Sequence, residues 1–146
     1  MRRFALLAVT LGLVAAAPLP EKDDLKKFEG DWSFTKWEQG GQSLPDEAVR
    51  EARWSVKGNK YTFEMGPVSE EGTIKLDPAK KPAAIDLTIT SGTDKGKEQF
   101  GIYRIEKDAI VFCLARPGAK ERPTEFAATE NDTNMLLTIK RVKKDD

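Results

Sequence analysis

The spacing of the apolar residues constrains this chain most. From Gly30 onward they recur at every second position in about eight short runs, separated by turn residues. Trp32 and Phe34 alternate with Ser33 and Thr35, Trp54 and Val56 with Arg53 and Ser55, and Tyr61, Phe63 and Met65 with Thr62 and Glu64. Ile74 and Leu76 continue the series, followed by Ile85, Leu87 and Ile89. Next comes a run with Phe100 and Ile102 on one face and Gly101, Tyr103 and Ile105 on the other. Ile110, Phe112 and Leu114 follow, and Met135, Leu137, Ile139 and Arg141 close the series. A period of two places each set on one side of a strand. Gly40-Gly41, Gly58-Asn59 and Gly66-Pro67 are tight turns that reverse the chain. The pattern predicts an all-β fold: an eight-stranded antiparallel up-and-down barrel with one or two short helices. A two-layer sandwich is the rival, but its crossing connections tend to be longer than these. Asp23 is placed to cap a helical turn through Leu25 and Phe28, ended by Gly30. Residues 45–51 suit a second short helix, with Ala48 and Val49 on its sheltered side.

The first residues read as an export leader. Arg2 and Arg3 precede an apolar stretch, residues 4–14, that is too short for a membrane span, and small residues follow. Cleavage is expected after Ala16. The predicted organisation is a signal peptide over 1–16, a flexible lead-in over 17–23, a barrel domain over 24–143 and a polar tail over 144–146. Export implies a periplasmic or secreted protein with no stable membrane insertion after cleavage. Loss of Arg2 and Arg3 leaves 22 basic against 24 acidic residues, from 24 of each in the whole chain. Such a balance argues against nucleic-acid binding, which needs a basic face.

Missing residue types narrow the chemistry. The chain has no histidine and one cysteine, Cys113. Histidine-dependent nucleophilic catalysis and the usual zinc sites are therefore excluded, and no internal disulfide can form. No catalytic residue, metal or cofactor is expected, and the protein is read as a non-enzyme. Cys113 alternates with Val111 and Ala115 opposite the apolar series and reads as a small buried hydrophobe.

Two groups of residues remain as candidates. Phe34, Trp54, Tyr61, Phe63, Phe100 and Phe112 are the aromatics expected to point inward, where they line a pocket or fill the barrel. Short strands with mostly large inward residues favour a filled interior, or a small pocket near one mouth. Asp86, Tyr103, Arg122 and Glu125 combine carboxylates, a phenol and a guanidinium, the ingredients of a fixed polar network around a loop. Gly30, Trp32 and Arg141 are expected to close the barrel, with the guanidinium lying over the indole of Trp32. A ligand anchor within a cavity is the alternative role for Arg141; its place near the strand end favours closure.

The chain from Leu25 to Phe126 resembles the uncharacterised lipocalin-like domain family abundant in planctomycete bacteria. The resemblance rests on residues 25–30 with Trp32, on Leu44-Pro45, Gly58-Asn59-Lys60-Tyr61, Gly72-Thr73 and Leu76-Asp77-Pro78. It is densest in Lys81-Pro82, Ile85-Asp86-Leu87, Gly96-Lys97, Gly101-Ile102-Tyr103, Cys113, Pro117-Gly118 and residues 122–126. The resemblance implies a single exported lipocalin- or calycin-like barrel and brings no catalytic mechanism. The function expected is non-enzymatic binding of a small apolar or amphipathic ligand. The alternative is an envelope interaction module that binds an unidentified protein partner through loops such as 116–125.

Overall fold

The computed structural model describes residues 20–143. The expected leader and polar tail, and residues 17–19 of the lead-in, lie outside them. The chain forms an eight-stranded antiparallel barrel with one extra short strand and two short helices. Helix α1 (Pro20–Phe28) leads into β1 (Gly30–Gln39). The short β2 (Gln42–Ser43) and α2 (Asp46–Glu51) precede β3 (Ala52–Lys57). The meander continues through β4 (Lys60–Met65), β5 (Val68–Asp77), β6 (Ala84–Ser91), β7 (Glu98–Ile105), β8 (Ala109–Leu114) and β9 (Met135–Arg141). Each barrel strand pairs with the next, and β1 pairs with β9 to close the ring.

Helix α1 starts at Pro20, three residues before the expected cap at Asp23, so most of the supposed flexible lead-in is helical. Proline suits a first helical turn, where its missing N–H costs nothing. Glu21 ties that turn to the barrel by accepting from the Leu76 N–H at 3.3 Å. The helix stops one end of the barrel. Phe28, fully buried, stands edge-on to Tyr103 at 5.3 Å, Phe112 at 5.8 Å and Trp54 at 6.1 Å between ring centres. Burying such a ring contributes about 2–3 kcal/mol, and each edge-to-face pair adds about 0.5–1.5 kcal/mol.

The closure joins Gly30, Trp32 and Arg141. Trp32 lies opposite Arg141 in the β1–β9 register, and the guanidinium carbon sits 4.4 Å above the indole centre. The same guanidinium donates to the carbonyls of Glu29 at 2.6 Å and Lys27 at 2.9 Å, at the C-terminal end of α1. Trp32 Nε1 donates to the Phe28 carbonyl at 2.7 Å. Helix carbonyls that would otherwise lack partners are thereby satisfied, and a cation faces the negative end of the helix. Gly30 is required twice here. Its φ is +122°, and a Cβ at this position would stand 2.6 Å from Arg141 Nη1.

Two departures from simple alternation shape the interior. A bulge in β1 between Phe34 and Lys36 shifts the pairing with β9, so that Trp37 rather than Lys36 turns inward. On β7 the inward set is Gln99, Gly101 and Tyr103, which corrects the expectation that Phe100 faces the core. Residues 115–134 fold back over the outer face of β6–β8. The buried outward residues Ile102, Val111 and Cys113 lie beneath them, and Cys113 Sγ donates to the Ala127 carbonyl at 3.3 Å.

Candidate ligand cavity

Strand direction fixes which end of the barrel lies away from α1. The first residues of β1 and the last of β9 meet at the α1 end. The last residues of β1 and the first of β5, β7 and β9 meet at the other. A cavity of about 230 Å³ occupies that second half. Its walls are aromatic: Phe34, Trp37, Trp54, Tyr61, Phe63 and Phe112. Leu87, Leu114, Met135 and Leu137 add aliphatic surface, and Glu70, Asp94 and Gln99 supply the polar groups. The rings brace one another. Phe34 lies 5.5 Å from Trp37 and 5.7 Å from Phe63, and Trp54 lies 5.5 Å from Phe112. A wall of mutually packed rings is a preformed apolar surface rather than a gap awaiting collapse.

Glycine sets the position of Tyr61. A Cβ on Gly72 would collide with the Tyr61 ring and the Thr88 carbonyl, so the ring rests flat against the bare backbone of β5. From there the phenol donates to Glu70 Oε2 at 3.0 Å. Burial raises the pKa of the Tyr61 phenol, and the adjacent Glu70 reinforces the effect. Burial also lifts the Glu70 carboxyl above its ordinary range; the Tyr61 hydrogen bond opposes this and the nearby Asp94 adds to it. Asp94, in the turn between β6 and β7, pairs with Lys97 Nζ at 3.0 Å. Gln99 is 5% exposed and donates from Nε2 to the Ala115 carbonyl at 2.9 Å.

Of the six aromatics expected inside, five line this cavity: Phe34, Trp54, Tyr61, Phe63 and Phe112. Phe100 does not. It lies on the outer face, under the Arg122 guanidinium at 5.1 Å. The expected polar network also divides. Arg122 binds Asp86 Oδ1 at 2.5 Å and the carbonyls of Ile85 at 2.9 Å and Gly101 at 2.8 Å, pinning the 115–134 segment to β6 and β7. Tyr103 is not part of it. Its ring is inside against Phe28, and its hydroxyl donates to Asp24 of α1 at 2.6 Å. Burial and that bond raise the Tyr103 pKa. Glu125 is exposed, and its side chain joins no hydrogen bond or ion pair among the described residues.

Sequence reasoning missed Trp37, Glu70, Asp94 and Gln99. Glu70 was within reach, because it is in phase with Ile74 and Leu76 on β5. Trp37 was hidden by the bulge, and Gln99 by the burial of both faces of β7. No family model, curated protein or solved structure matches this chain.

Proposed function

We propose that this is an exported, lipocalin-like, non-enzymatic binder of a small apolar or amphipathic molecule. The observation that carries the reading is the aromatic cavity of about 230 Å³ at the end of the barrel away from α1. Space among rings that already support one another is not relieved by collapse, and a ligand there removes apolar surface from water. The leader sequence and the resemblance to planctomycete lipocalin-like domains support export and the carrier reading together. The interaction-module reading has less behind it. The 116–125 loop is drawn against the barrel by Arg122. The exposed large hydrophobics among the described residues are Val68 and Val142, at opposite ends of the barrel, and they form no patch.

Native mass spectrometry of protein purified from its own host tests this reading. A co-purified small molecule released on denaturation is expected. Absence of any bound species, together with unchanged tryptophan fluorescence when small aromatic compounds are added, would sink it.

A further inference from the structure

The polar groups in the cavity are of one kind. Lys and Arg are absent from its lining, whereas Glu70 and Asp94 are both present. The third polar group, Gln99, commits its Nε2 to the Ala115 carbonyl. The amide therefore turns its acceptor, Oε1, the other way, and this atom has no protein donor among the described residues. Since no fully enclosed side-chain atom lacks a partner, the oxygen keeps accessible surface. Gln99 thus lines the cavity with an acceptor that no protein donor claims. Tyr61 spends its one donor on Glu70 and has only lone pairs left to offer. Asp94 is already matched by Lys97, so among the described residues Glu70 is the lining carboxylate left without a cationic partner. Trp37, Trp54 and Phe63 line the same cavity, and aromatic rings of this kind attract a cation.

We propose that the ligand class is a small aryl-alkyl amine, its ring among the aromatic walls and its ammonium donating to Glu70 and Gln99 Oε1. The size agrees. A cavity of about 150 Å³ accommodates benzene, so about 230 Å³ holds one ring with a short chain and no long acyl tail. A fatty or aryl carboxylate meets acceptors where it needs donors, next to a like charge.

The inference rests on the carrier reading, and one titration separates the two. The purified protein at neutral pH is titrated calorimetrically with 2-phenylethylamine, its neutral counterpart 2-phenylethanol and its anionic counterpart 3-phenylpropionate. The amine is expected to bind about tenfold or more tighter than the alcohol, and the carboxylate more weakly than both. Glu70→Gln keeps an acceptor for Tyr61 and removes the charge. It should lower amine affinity at least about tenfold and alcohol affinity by much less, and a circular dichroism spectrum like that of wild type shows that the variant is folded. Equal or tighter binding of the carboxylate, or a Glu70→Gln variant with undiminished amine affinity, overturns the amine assignment while the carrier reading stands. Failure of all three compounds to bind overturns the amine assignment, and together with the absence of any co-purified species it overturns the carrier reading as well.

Discussion

Replacing Arg141 tests whether one side chain holds together the first strand, the last strand and the helix plug. Its guanidinium covers Trp32 at 4.4 Å and donates to the Glu29 and Lys27 carbonyls at 2.6 and 2.9 Å. Each hydrogen bond contributes about 0.5–1.5 kcal/mol, and the cation–π contact at an exposed site about 0.5–1 kcal/mol. A cation at a helix C-terminus adds about 0.3–1 kcal/mol. Arg141 is exposed, so each value belongs near the lower end, and the contributions share one side chain. Arg141→Ala should therefore cost about 2 kcal/mol in urea denaturation, with little change in slope. Arg141→Lys keeps the charge but cannot reach both carbonyls and the indole with one planar fork, so it should recover less than half of the loss. Amide exchange should accelerate at the end of α1 in both variants. A loss below about 0.5 kcal/mol in Arg141→Ala, or full recovery with lysine, would refute the claim that the fork is what joins the three elements.

Other consequences follow from the same geometry. Arg122→Ala removes the link from residues 115–134 to β6 and β7; a loss of about 2 kcal/mol and faster trypsin cleavage at Lys120 are expected, and unchanged cleavage would show that the segment is held by other contacts. Burial raises the Cys113 pKa and shields its sulfur, so a thiol reagent should modify it only at the rate of opening, with full reaction in denaturant; rapid native labelling would contradict the packing of Ala127 over it. Because the folded-state pKa of Glu70 is raised, ionising it weakens folding as pH climbs from about 4 through the raised value. Glu70→Gln should therefore match wild type near pH 3 and exceed it at pH 7, measured by parallel urea melts; a stability gap independent of pH would count against a desolvated carboxyl.

The contribution of each face of a strand was readable wherever only one face is buried. On β3 and β5 the alternation of Trp54 and Val56, and of Ile74 and Leu76, names the inward side directly. On β8 every residue is buried, and on β7 Ile102 and Tyr103 are buried on opposite faces, so apolar spacing alone carries no sign. From spacing alone Phe100 therefore reads as a core residue, and Tyr103 as part of a loop network, whereas the structure puts Phe100 outside and the Tyr103 ring inside. Period-two patterning determined the barrel, its strand count and most of its aromatic wall, because each of those depends on neighbours two residues apart.

The tertiary structure alone decided the rest, because the partners are far apart in the chain. Arg122 reaches Asp86 across 36 residues, and Arg141 reaches Glu29 across 112. The β1 bulge that turns Trp37 inward exists only through pairing with β9. The acceptor-rich character of the cavity arises in the same way. Glu70, Asp94 and Gln99 come from two strands and a turn, and only barrel closure brings them to one mouth. Local spacing established that there is a barrel with an aromatic interior; long-range pairing established which polar atoms face the space inside it.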